Sequence, residues 1–237
     1  MRTHRRTHRP THHRTQRFAT GAALVAAAAL TLTACGTFSG DNGSTGNDGN
    51  NQPIASVSGG SSSGAVPLDP PFVKPEAKLT DNHGKPFDLV KETAGKPTLI
   101  YFGYTHCPDV CPTTMADIGN AARILPADEQ RQLQVIFVTT DPQRDTPQRL
   151  TEWLGAMDPD FIGLTGDFAT IQAAAHSVGV DVEKPVTEKD GSIDVTHGSE
   201  VLAFSPKDNE AHFLYTSGVT VRQYTTGIQK LIKGQTP

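Results

Sequence analysis

The stretch from Leu99 to Met115, LIYFGYTHCPDVCPTTM, constrains this chain more than any other. An apolar, strand-like run leads through a turn to two cysteines and then into helical spacing. Pro108 and Pro112 place the helix start within or just after the pair, because proline is tolerated in a first helical turn and not in the interior. A strand that delivers two sulfurs to a helix start sets them beside free backbone N–H groups and the positive end of the helix dipole. That position favours thiolate over thiol. Cys107 and Cys111 are four positions apart. A helical turn would set their Cα atoms about 6 Å apart, at a rise of about 1.5 Å per residue, which is within disulfide reach. The pair can close as a static or a reversible disulfide, or open around a soft metal, and spacing does not choose between these. Asp109, between the two, slightly opposes thiolate formation.

The segments around this run supply a sheet and its helices. Leu79 to Val90 reads as a short hairpin and Thr98 to Tyr104 as the first core strand. Pro112 to Leu125 carries Met115, Ile118, Ala122 and Leu125 at helical spacing, closed by Pro126. Leu133 to Thr140, LQVIFVTT, is the nearly continuous apolar run of a strand covered on both faces. Thr146 and Pro147 form an N-cap and first helical position, followed by Leu150, Trp153, Leu154 and Met157 on one face. Phe161 to Leu164 is a short strand, Phe168 to Val178 a helix, and Val180 to Gly198 a long polar loop with weak strand signals. Val201 to Phe204 and Phe213 to Thr216 read as an antiparallel pair, and Val219 to Ile232 as a closing helix. Strands alternating with helices predict an α/β fold. With a cysteine pair where the first core strand meets its helix, the expectation is a thioredoxin-like fold, a central mixed sheet flanked by helices.

The N-terminal third is of a different kind. Six of the 21 Lys and Arg residues precede Phe18. They form a basic stretch ahead of the apolar, alanine-rich run Phe18 to Ala34, which is short for a bilayer span. The run ends in Leu32-Thr33-Ala34-Cys35. This resembles the lipobox of bacterial lipoprotein signal peptides, which implies that Cys35 is lipidated and becomes the mature N-terminus. Gly36 to Ala65 is made of Gly, Ser, Asn, Asp and Thr with almost no large apolar residue, so it cannot repay the entropy of ordering. Thirty such residues span about 30 Å as a flexible chain. The expected organisation is therefore a signal peptide over residues 1–34, a lipid-anchored flexible linker over 35–69 and one globular domain over 70–237. Beyond the leader, 15 basic residues face 25 acidic ones. Nucleic acid is excluded as a partner of such a domain. With Cys35 assigned to lipid, the chain's three cysteines leave two for the site.

Two thiolates alone hold Cu(I), and an added imidazole gives a site that also accepts Cu(II). The third ligand is thus the residue to look for. His197, in Val195-Thr196-His197-Gly198-Ser199, ends the long loop where a thioredoxin-like chain returns beside the cysteine helix. Spacing alone does not distinguish it from a solvated loop histidine, and His106, His176 and His212 have weaker claims.

Three stretches together carry a resemblance. They are Tyr104-Thr105-His106-Cys107-Pro108-Asp109-Val110-Cys111-Pro112, Val138 to Pro142 followed by Arg144-Asp145-Thr146-Pro147, and the late His197. Over Pro70 to Lys233 the chain resembles the Sco/SenC family of membrane-anchored, thioredoxin-like copper proteins that assist assembly of the binuclear copper centre of cytochrome c oxidase. The resemblance implies copper as the bound metal, with Cys107, Cys111 and His197 as ligands and Asp141 as an aspartate near the site. One departure stands out: the family places an acidic residue before the histidine and a serine after it, where this chain has Thr196 and Gly198. An outer carboxylate that would orient the imidazole is then missing, and Asp141 is the residue expected to supply it. The implied function is a lipid-anchored copper chaperone on the extracytoplasmic face of the cell membrane. Its partners would be the oxidase copper-binding subunit and a copper donor protein. The alternative is a thiol-disulfide reductase that keeps the oxidase cysteines reduced through Cys107 and Cys111. A thiol peroxidase would need a peroxidatic cysteine poised by cations, and Asp109 argues against it. Three residues between the cysteines, rather than the two of typical disulfide exchangers, favour the metal.

Overall fold

The computed structural model describes residues 64–237. The expected signal peptide, the lipidated Cys35 and the linker as far as residue 63 lie outside the described residues. In chain order the elements begin with β1 (Ala65–Val73), β2 (Lys78–Asp81), β3 (Pro86–Asp88), α1 (Leu89–Glu92), β4 (Thr98–Gly103), α2 (Val110–Ile124), α3 (Ala127–Gln130) and β5 (Gln134–Thr139). They continue with α4 (Pro147–Gly155), β6 (Ile162–Thr165), α5 (Phe168–His176), β7 (Val186–Thr187), β8 (Ile193–Asp194), β9 (Val201–Phe204), β10 (Glu210–Tyr215) and α6 (Val221–Ile232).

Eight strands form one mixed sheet in the order β1-β10-β9-β4-β5-β6-β2-β3, while β7 and β8 pair as a separate hairpin. β4 and β5 lie at the centre, parallel and in register from Thr98 opposite Gln134 to Gly103 opposite Thr139. Alternation along β4 feeds two cores, one on each face of the sheet. Leu99 and Tyr101 join Met115 and Ile118 of α2, Leu150 of α4 and Ile228 of α6. Ile100 and Phe102 face the other way, with Leu89 of α1 and Ile171 of α5. Burying a Leu or Ile side chain is worth about 1.5–3 kcal/mol relative to exposure. The central strands therefore hold the molecule together, and a polar change in them would unfold it before it reported on chemistry. The fold is the expected thioredoxin-like one. Among the described residues no helix is long and apolar enough to cross a membrane.

Two boundaries differ from the sequence reading. The expected linker end at residue 69 falls inside β1, which pairs Ala65 with Tyr215 and Val73 with Glu210 of β10. Helix α2 begins at Val110 rather than at Pro112, so Cys111 lies within its first turn while Cys107 precedes it. Helix α4 starts as expected, with the Thr146 hydroxyl accepting from the Arg149 N–H and Pro147 at the first position.

Candidate metal site

The site lies where β4 ends and α2 begins. Cys107 closes a turn in which its N–H donates to the Tyr104 carbonyl at 3.2 Å. The Asp109 side chain does not cap α2. Instead the Cys111 N–H donates to Cys107 Sγ at 3.4 Å, so a sulfur occupies the place a capping oxygen usually takes. The helix start thus supplies a backbone donor to the Cys107 sulfur. Cys111 behaves differently. It is fully buried, and burial pushes its thiol up to about 12, against the opposing hydrogen bond from Tyr101. Desolvation outweighs the helix terminus here, and without a cation Cys111 is a neutral thiol at physiological pH. Gly103 makes room for it: a Cβ at that position would lie 2.8 Å from Cys111 Sγ. Both thiols are free.

His197 reaches this pair from the segment between α5 and β9. Its Nδ1 lies 2.6 Å from the Gly198 carbonyl oxygen. A carbonyl only accepts, so Nδ1 carries the proton and the Nε2 lone pair is left for the sulfurs. Nε2 is 3.8 Å from both Cys107 Sγ and Cys111 Sγ. Tyr104 meets the imidazole edge-on with ring centroids 5.2 Å apart, and Tyr101 does so at 6.5 Å. The three ligand atoms all lie within 4.8 Å of one another. An ion held trigonally by thiolate and imidazole, with bonds of about 2.3 and 2.0 Å, needs sulfur and nitrogen about 3.7 Å apart. The donor set is already at that spacing, and a soft, low-coordinate cation fits it.

Asp141 takes a different partner from the one expected. Its carboxylate, buried at the end of β5, accepts from Arg144 Nε, and among the described residues no bond links it to His197. The carbonyl of Gly198 orients the imidazole instead, so the sequence context that lacks an acidic neighbour needs none.

The aspartate that organises the site is Asp145, which sequence reasoning placed only within a motif. It is fully buried. Its carboxylate accepts from the Thr105 N–H at 2.9 Å, the Thr105 hydroxyl at 2.6 Å and the Thr139 hydroxyl at 2.7 Å. Arg149 Nε donates to the same Thr105 hydroxyl at 3.0 Å, and His106 Nδ1 lies 3.5 Å from the carboxylate. Thr105 stands two residues before Cys107, so Asp145 ties the cysteine turn to the end of β5 and to α4. The other candidate histidines lie elsewhere: His176 groups with Asp181 and Glu183, and His212 with Asp208 and Glu210.

The SCO1/SenC family model matches residues 67–233. Protein SenC of Rhodobacter capsulatus is 37% identical over 136 residues, which cover 52% of this chain and 59% of that protein. Mitochondrial SCO1 of Saccharomyces cerevisiae is 33% identical over 157 residues, 65% of this chain and 51% of that one. The chain spans less than two thirds of the length of these curated relatives. Among solved structures, copper-bound ScoI of Bradyrhizobium japonicum superposes with a TM-score of 0.58 at 33% identity, over 68% of this chain and 97% of that one. Copper-bound yeast Sco1 superposes with a TM-score of 0.63 at 28% identity, over 70% and 92%.

Proposed function

Because this chain belongs to the SCO1/SenC family, we propose that it binds copper in the assembly of cytochrome c oxidase, with Cys107, Cys111 and His197 as ligands. The observation that carries this reading is the placement of His197 Nε2 at 3.8 Å from both sulfurs. Copper is the cargo. The two sulfurs satisfy Cu(I), and the imidazole extends the set to Cu(II). Tyr101, Met115 and Phe137 are buried in one cluster with Cys107 and Cys111, and His197 is the most exposed of the three ligands. The partner in this reading is the copper-binding subunit of the oxidase, supplied in turn by a copper donor protein. The lipobox-like run ending at Cys35 supports lipid anchoring at the extracytoplasmic face of the cell membrane.

The reductase reading keeps one observation on its side: both thiols are free and lie close together. Against it, the His197 imidazole stands 3.8 Å from both sulfurs, a third donor for which thiol exchange has no need. The experiment is an anaerobic copper titration of the reduced, full-length chain. One equivalent is expected in the wild type and none in Cys107→Ser or Cys111→Ser; a wild type that takes up no copper overturns the proposal. His197→Ala separates the two readings. It should keep thiol exchange and some Cu(I) binding, lose most Cu(II) affinity, and fail to restore oxidase activity in a strain lacking the protein. Full restoration would put the reductase reading first.

A further inference from the structure

The dithiol is asymmetric, and one side chain makes it so. Tyr101 is buried in β4, and its hydroxyl lies 3.5 Å from Cys111 Sγ. The ring is set between Phe137, 6.1 Å away by centroid, and His197 at 6.5 Å, so the phenol has little freedom to turn from the sulfur. Cys107 receives no such side chain among the described residues; its donor is the Cys111 backbone N–H.

We propose that Tyr101 is a positioning residue of the site: its O–H donates to Cys111 Sγ, draws charge from that sulfur and fixes Cys111 as the anchor. Cys107 is thereby left as the sulfur that exchanges with partners. The copper part of this inference rests on the proposed function; the thiol part does not. In the thiol reaction, an external disulfide accepts two electrons and two protons from Cys107 and Cys111. A sulfur–sulfur bond forms within the chain, the external one breaks, and two external thiols leave. The phenol supports the reduced side, because its bond to Cys111 Sγ is made in the chain with both thiols free, and closing the disulfide turns that sulfur toward Cys107.

The test uses the full chain with Tyr101→Phe, with Tyr215→Phe as its control. Tyr215 is another buried phenol on the same sheet face, and its hydroxyl has no hydrogen-bond partner among the described residues. Equilibration with a reference dithiol of known potential should move Tyr101→Phe about fivefold toward the disulfide, the worth of one ordinary hydrogen bond. Tyr215→Phe should not move. In the copper-loaded protein, loss of the donor raises the filled sulfur orbitals, so the sulfur-to-Cu(II) charge-transfer band should shift to longer wavelength in Tyr101→Phe alone. If Tyr101→Phe does not fold, 3-fluorotyrosine at position 101 keeps the ring and makes its O–H a stronger donor to Cys111 Sγ, and a shift in the opposite direction, toward the dithiol, is expected. Equilibria and bands that match wild type in the folded variants overturn the inference. If no variant binds copper while the fivefold shift remains, the proposed function fails and the role of Tyr101 stands.

Discussion

The central strand is closed at each end by a buried charge, and the two ends use it differently. At the start of β4, Lys74 Nζ donates to the Thr93 carbonyl at 3.2 Å, the Thr93 hydroxyl at 2.8 Å and Asn209 Oδ1 at 3.4 Å, with the Phe204 ring 5.4 Å away. At the far end Asp145 gathers Thr105 and Thr139. Both are hubs that join segments distant in sequence. Lys74 joins β1 to α1 and to the turn before β10, none of which bears a ligand. Asp145 joins β5 and α4 to the turn that carries Cys107. The same physical device serves folding at one end, and at the other it also aims the chemistry.

Asp145→Ala gives the largest expected effect. It strands one N–H and two hydroxyls in a buried place, each at a cost of about 1–3 kcal/mol, so a loss of at least about 3 kcal/mol is expected. Denaturant unfolding measures it. Asp145→Asn keeps the shape and sharpens the comparison: it should fold, with copper affinity down about tenfold because the Thr105 turn is held less firmly, an effect of the size seen for partners that orient metal ligands. Wild-type copper affinity in Asp145→Asn would show that the carboxylate serves stability alone.

The sequence shows some of this and hides the rest, for physical reasons. β4 and β5 stand out because strands covered on both faces must be apolar throughout, and α4 stands out because Thr146 and Pro147 are local signals. β1 was concealed by its prolines: Pro67 falls in the expected linker, and Pro70 and Pro71 open the expected domain without a strand signal. It is an edge strand, and its pairing with β10 is irregular between Pro67 and Phe72, where missing N–H groups cost little. The ligand role proposed for His197 came through family resemblance and not through spacing, since a loop does not declare where it lands. Asp145 was hidden because its partner Thr105 lies 40 residues away. The thiolate expectation for Cys111 failed because burial depth depends on how both faces pack, which local sequence does not encode.

Lys74→Met is the counterpart at the other end, and its expected effect is smaller. Methionine fills the volume without a charge but leaves the Thr93 carbonyl and Asn209 Oδ1 short of a donor, for a net loss of about 1–2 kcal/mol at neutral pH. Copper stoichiometry and affinity should match wild type. A copper defect as large as that of Asp145→Asn would erase the distinction between the two ends.

The smallest effect is a pH dependence, and its sign follows from the direction of the shift. Burial lowers the Lys74 ammonium from 10.5 to about 8. Below pH 8 the lysine is protonated in both folded and unfolded chains, and the folded state bears the whole cost of holding a buried charge. Between pH 8 and 10.5 the folded protein releases that proton while the unfolded chain still binds it. A state that binds more protons loses ground as pH rises, so the unfolded state loses ground here and the Lys74 contribution to stability increases. Above that window both forms are neutral and the contribution is level. The difference in urea midpoint between wild type and Lys74→Met should therefore move in favour of wild type from pH 8 to 10 and stay constant from pH 6 to 8. Taking the difference cancels every other titrating group common to the two chains. A difference that is flat across the whole range would mean that Lys74 titrates alike in both states, and that its hydrogen bonds to Thr93, Thr98 and Asn209, rather than its buried charge, set its worth to the fold.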